Sequence, residues 1–126
     1  MTARHWALVF LGERPPTLNA ERRQHPLARA RTVRRYREAF AALALEQRVP
    51  QLGRVRVRCW AILRTRRSVP DVGAHIVAAK AAVDGLVDAG VLADDGPEQV
   101  VELAFVAPVF GGPEDGFVVV VEEVAS

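Results

Sequence analysis

The chain carries a single lysine, Lys80, set in its acidic second half with Asp71 before it and Asp94-Asp95 after it. An ammonium flanked by carboxylates suits phosphate chemistry. The compact cation can neutralise charge that develops on a phosphate. Carboxylate oxygens suit a hard divalent ion such as Mg²⁺, which often takes only one or two of them and keeps several waters. Spacing alone leaves ordinary alternatives open. Lys80 and Asp84 stand at i and i+4 and can form a weak helix-surface pair. Asp71 before a helix is also a cap, and Asp94-Asp95-Gly96 is also a turn. Asp71 and Asp95 lie beyond opposite ends of one helix, so they approach only if the helix is short, the strand after Asp95 folds back, or a symmetry-related chain brings them together. His75, four residues past Asp71, is a possible ligand or a capping residue. Asn19 and His25 share a proline-bounded loop, where they contact phosphates or satisfy backbone groups. The Cys59 thiol, inside an alternating apolar run, belongs to the core.

Charge is segregated along the chain. Residues 1–67 hold all 16 arginines against four acids, a net of +12, and residues 68–126 hold Lys80 against 11 acids, a net of −10. A segment so basic is an electrostatic footprint for a phosphate backbone, with Arg31, Arg34, Arg35, Arg64, Arg66 and Arg67 as candidate contacts. The bland alternative is an arginine-rich composition spread over solvated faces.

Length and hydropathy describe the scaffold that must position these groups. At 126 residues, half of them hydrophobic, the chain supports one domain, 1–126, with its own core. One cysteine excludes a disulfide framework and a cysteine-based zinc site within the chain, and a reducing compartment is the expectation. No apolar run reaches the length of a membrane helix and the first residues lack a signal-peptide pattern, so a cytoplasmic location is expected. Trp6–Leu11 reads as a buried first strand, followed by a rigid Pro15-Pro16 loop. Residues 27–48 read as a helix with Val33, Tyr36, Phe40, Leu43 and Ala44 on one face. Residues 54–63 alternate as a strand, 64–70 form a basic loop, and 73–88 form a second helix with Ile76, Ala79, Val83, Leu86 and Val87 inward. Runs 100–109 and 117–124 read as strands close enough for an antiparallel hairpin. The fold class is therefore α/β, in the order β-α-β-α-β-β, with a mixed sheet and helices packed on it.

Pro15-Pro16-Thr17-Leu18-Asn19, Arg31-Thr32-Val33-Arg34, Arg66-Arg67 and above all Asp71 with the run Lys80-Ala81-Ala82-Val83-Asp84-Gly85-Leu86-Val87-Asp88-Ala89-Gly90-Val91-Leu92-Ala93-Asp94-Asp95 resemble RusA-like Holliday junction resolvases. The likeness runs over nearly the whole chain. It implies a RusA-like homodimeric α/β fold and a Mg²⁺- or Mn²⁺-dependent endodeoxyribonuclease that acts on branched double-stranded DNA. By position, Asp71 matches the first aspartate of the family's D-x-D-N element, Lys80 its catalytic lysine, Asp95 its late metal aspartate and Asp94 the neighbour. Gly73 and Ala74 replace the second aspartate and the asparagine. With one carboxylate fewer, a divalent ion binds more weakly. Two expectations follow: phosphodiester hydrolysis by a weakened enzyme, with Lys80, Asp71 and Asp95 catalytic and Asp71, Asp94 and Asp95 on the metal, or a catalytically degenerate nucleic-acid-binding homodimer. A third reading is a module whose acidic half binds a basic protein.

Overall fold

Strict alternation in Val55–Leu63 produces the central strand of the domain. Val55, Val57, Cys59, Ala61 and Leu63 are all buried, and Arg56 and Arg58 point the other way. A computed structural model describes residues 3–18 and 25–124. In chain order its elements are β1 (His5–Leu11), α1 (Pro26–Glu46), β2 (Val55–Leu63), a 3₁₀ turn (Val72–His75), α2 (Ile76–Asp88), β3 (Val100–Phe105), β4 (Val109–Phe110) and β5 (Gly116–Glu123). The sheet runs β1-β5-β2-β3, with β4 beside β2 beyond the end of β3. β3 and β4 lie parallel to β2, whereas β5 is antiparallel to both β1 and β2. This is a mixed α/β sheet, as expected from the element order.

The expected hairpin between the last two runs does not form. β5 leaves β3 and inserts between β1 and β2. The reason lies in its composition: Phe117 to Val121 is apolar on both faces, and all five residues are buried in that central position. β3 keeps an edge, where Glu102 is tolerated in water. The run 100–109 is also split. Pro108, which has no N–H for a ladder, precedes the two-residue β4.

Both helices cover one face of the sheet. The helix-facing rows contain Leu8 of β1, Val119 and Val121 of β5, and Val57 and Cys59 of β2, which form one core with Tyr36, Phe40 and Ala44 of α1 and Ala79, Ala82 and Leu86 of α2. α1 starts where the sequence signals it should: His25 Nδ1 accepts from the Leu27 N–H at 3.2 Å and Pro26 takes the first turn. It ends with Arg48 in the left-handed region (φ 56°) and the Val49 N–H donating to the Ala44 carbonyl. The second helix differs from expectation at its start, because residues 72–75 wind as a 3₁₀ turn closed by the Ala74 N–H on the Asp71 carbonyl at 2.9 Å. Ile76, expected inward, is 42 % exposed.

α2 can approach α1 closely because its inner surface is small. A Cβ at Gly85 would stand 2.4 Å from the Arg37 carbonyl oxygen and 3.0 Å from the Ala41 nitrogen, so only glycine fits this crossing. A bidentate ion pair clamps the same junction from outside, with Arg37 Nε and Nη2 donating to Asp88 at 2.6 and 2.8 Å. Cys59 is fully buried, and burial pushes its thiol up to about 12, so it remains an uncharged core residue. No helix among the described residues is long and apolar enough to cross a membrane.

Candidate functional site

The segment after α2 turns back along the helix and returns Asp95 to Lys80. Lys80 Nζ lies 3.5 Å from Asp95 Oδ2, with both side chains substantially exposed. Lys80 therefore takes a partner across a loop, and Asp84 lies instead within electrostatic reach of Arg37. The turn that carries the aspartates is held from within. Gln99 Oε1 accepts from the Ala93 and Asp94 N–H groups at 2.6 and 3.0 Å, and Asp94 Oδ1 accepts from the Asp95 N–H at 2.8 Å. A hydrogen bond with Asp94, and then the Lys80 ammonium, hold the Asp95 carboxyl below the usual carboxylate range. Beside this turn lies an open cleft of about 510 Å³ lined by Asp94, Gly96, Pro97, Glu98 and Gln99.

Asp71 is exposed just before the 3₁₀ turn and makes no side-chain capping bond. Among the described residues no three His, Cys, Asp or Glu side chains gather as metal ligands. One chain thus offers the Asp94-Asp95 pair, with Asp94 Oδ1 already engaged, and not a cage of three carboxylates. That set fits a mostly hydrated Mg²⁺ held by one or two carboxylates. It does not fit a dehydrated ion. Two residues after Asp71, a Cβ at Gly73 would meet nothing within 4 Å, so this position opens onto free space.

His75 stands at the N-cap position of α2 and makes no side-chain capping bond. It is 5 % exposed, and its Nδ1 lies 3.2 Å from the Pro16 carbonyl oxygen, the geometry of an N–H donor to that carbonyl. Its Nε2 is buried without a partner beside Phe117. Burial lowers its pKa, so the ring is neutral at pH 7. His75 thus pins the proline loop to the start of α2.

The same loop joins the basic segments. Glu13 pairs with Arg35 of α1 at 2.5 Å, the Tyr36 hydroxyl donates to the Glu13 carbonyl at 3.3 Å, and Arg14 Nη2 donates to the Ser68 carbonyl at 2.8 Å. Arg35, Arg14 and the Pro15-Pro16 pair line a cleft of about 250 Å³ between α1 and the loop. In the 64–70 loop the Arg66 guanidinium stacks 4.1 Å from the centre of the Phe110 ring, which leaves its N–H edge free to meet a phosphate. The Arg64 backbone N–H donates to Asp115 at 2.9 Å, and the Arg67 N–H to Thr65 Oγ1 at 3.4 Å. Arg31, Arg34, Arg64 and Arg67 are exposed. His25 serves as the α1 cap, which assigns its Nδ1 to the backbone, and Asn19 lies outside the described residues. The structure therefore links Arg35 to the basic loop through Glu13 and Arg14. Sequence reading passed over both, although Arg14 stands directly before the proline pair. Comparison of the chain with protein-family models and with curated proteins finds no match.

Proposed function

We propose that this protein binds branched double-stranded DNA through its arginine-rich surface and hydrolyses phosphodiester bonds weakly at the Lys80, Asp94 and Asp95 turn, in the manner of the RusA-like resolvases it resembles. The observation that carries the reading is the return of Asp95 to within 3.5 Å of the chain's only lysine, fifteen residues away in sequence. Lys80 and Asp95 are too exposed for their pairing to contribute much to folding. An exposed ammonium on a flexible stem can leave Asp95 and meet a phosphate oxygen. There it stabilises the added negative charge as a water oxygen attacks phosphorus in line and the opposite P–O bond breaks. Asp94 and Asp95 would hold a hydrated Mg²⁺ or Mn²⁺, which when bound supplies Lewis-acid polarisation of the phosphate and an acidified water. Asp71, at the end of the basic loop, would orient the backbone or join the ion from its own side.

The test is cleavage of a synthetic four-way junction with Mg²⁺ or Mn²⁺. Lys80→Ala and Asp95→Asn each abolish cutting and leave junction binding in place. Binding weakens with salt, and Arg31→Ala or Arg34→Ala each lower the slope of log K against log[salt] by about one. A wild-type protein that never cuts, at any concentration of either metal, refutes the catalytic part. A second reading rests on Gly73, which stands where the family the chain resembles has an aspartate and whose surroundings leave room for one. It describes a nucleic-acid-binding protein that has lost cleavage, and it requires junction binding that is indifferent to divalent ions.

A further inference from the structure

Glu13 is an acid in the arginine-rich half of the chain, and among the described residues it is the one acid that lines the cleft between α1 and the proline loop. Arg14, Arg35, Thr32 and the proline pair form the rest of that cleft of about 250 Å³. One edge of the Arg35 guanidinium faces the Glu13 carboxylate. Its Nε lies 3.2 and 3.3 Å from the two oxygens, and its Nη2 lies 2.5 Å from Oε1. The same Nη2 is 3.3 Å from the Thr32 hydroxyl oxygen, whose proton goes to the Ala28 carbonyl at 3.1 Å. Arg14 donates through Nη2 to the Ser68 carbonyl at 2.8 Å, and with five N–H donors a guanidinium can keep that bond and meet a ligand oxygen as well. The fork by which arginine holds a carboxylate is also the fork by which it holds a phosphate.

We infer that this cleft is a subsite for one backbone phosphate of a nucleic acid, and that the Glu13 carboxylate is a built-in competitor that occupies the Arg35 fork until a phosphate displaces it. The exchange needs no movement of the loop. The Tyr36 hydroxyl holds the Glu13 carbonyl and His75 holds the Pro16 carbonyl, so only the Glu13 side chain has to turn. The Glu13 and Arg35 side chains are 26 and 53 % exposed, so their pairing contributes little to folding and water can solvate the released carboxylate. A polymer suits the cleft better than a small free anion. Arg31, exposed one turn before Arg35 on the same face of α1, stands ready for a neighbouring phosphate, and Arg14 ties the loop side of the cleft to the basic 64–70 loop. A free anion cannot use these flanking cations. With Glu13 in place the cleft sets one carboxylate against two guanidiniums, so every phosphate that enters must first overcome an internal anion, which weakens indiscriminate capture of duplex.

The inference rests on the DNA-binding part of the reading above and not on cleavage, so the test uses no divalent metal. Fluorescence anisotropy of a labelled linear duplex is titrated with the full chain over a series of KCl concentrations. Glu13→Gln, which keeps the shape and removes the charge, is expected to bind about tenfold more tightly at low salt, with the slope of log K against log[salt] steeper by about 0.9. Glu38→Gln removes the same charge from an exposed site of α1 outside the cleft and is expected to change affinity by less than about twofold. In an Arg35→Ala background the Glu13→Gln gain is expected to vanish. In the wild type the Arg35 Nε–H resonance should move when duplex is added, a readout that needs no variant to fold. Inorganic phosphate at matched ionic strength should move it only at much higher phosphate concentration. Duplex binding unchanged by Glu13→Gln, an equal gain in Glu38→Gln, a gain that survives without Arg35, or an Arg35 resonance indifferent to duplex overturns this inference alone. Saturation by inorganic phosphate at lower concentration than by duplex phosphate overturns the assignment to a polymer. Absence of duplex binding by every form at low salt refutes the DNA-binding reading together with this inference, and absence of cleavage with the binding results intact refutes only the proposed activity.

Discussion

Replacing Gly85 by alanine sets two well-defined effects against each other. Alanine is the better helix former by about 1 kcal/mol. Against that, the new Cβ would lie 2.4 Å from the Arg37 carbonyl oxygen, whereas real Cβ atoms essentially never come within 3.0 Å, so the two helices must separate by roughly 0.6 Å. The obstructing atoms are backbone of α1, and no flexible side chain can yield in their place. Overpacking costs about 1–3 kcal/mol, and with backbone as the obstruction the upper part of that range, about 2–3 kcal/mol, applies. It also pulls Tyr36 and Phe40, one residue before and three residues after Arg37, away from Phe117. The expected net loss is about 1–2 kcal/mol, which for a domain of this size lowers Tm by roughly 4–8 °C. Thermal unfolding followed by circular dichroism, with urea denaturation at 25 °C to confirm the sign, measures it. A Gly85→Ala protein as stable as the wild type, or more so, would show that the helices are free to move apart and that the close crossing is not a constraint.

Two further outcomes follow from the site. His75 is held neutral by burial, with a folded pKa below its ordinary 6.5. Above that value it adds no pH dependence; as pH falls below it the unfolded chain takes up the proton first, so stability declines until the folded pKa is reached. His75→Phe should remove this part of the acid slope, and a ring proton resonance of His75 that titrates at or above pH 6.5 in an NMR titration would refute the assignment. Gly73→Asp places a carboxylate where an added Cβ meets nothing within 4 Å. The variant should fold with a Tm within about 2 °C of wild type and raise the rate of junction cleavage at least tenfold at limiting Mg²⁺. An unchanged rate would show that this position does not face the scissile phosphate.

Much of the scaffold was legible because its signals are local. The alternation of Val55–Leu63 and the α1 stripe through Tyr36, Phe40 and Ala44 each follow from one repeat, 2.0 or 3.6 residues, and the cap at His25-Pro26 from one loop. The candidate site was half legible. Lys80 and Asp95 stood out as residue types, but their pairing depends on how the 89–95 segment turns back, and Asp84 at i+4 offered an equally regular partner. His75 looked like a surface or metal residue because its sequence neighbours do not show that Pro16 and Phe117 surround it. Glu13 and Arg14 were passed over for the same reason, since their partners Arg35 and Ser68 lie 22 and 54 residues away.

By itself the sequence determined which segments wind or extend, which face of each is apolar, and that the cations and acids occupy different halves of the chain. Only the tertiary structure decided that β5 enters the middle of the sheet, that Gly85 is the point where the helices meet, and that Asp95 reaches Lys80. The physical reason is that periodicity is set by bonded neighbours, whereas strand order and side-chain partners are set by competition for burial across the whole molecule. β5, apolar on both faces from Phe117 to Val121, took the central place and β1, apolar on both faces as well, the edge beside it, and no window of residues around either contains that comparison.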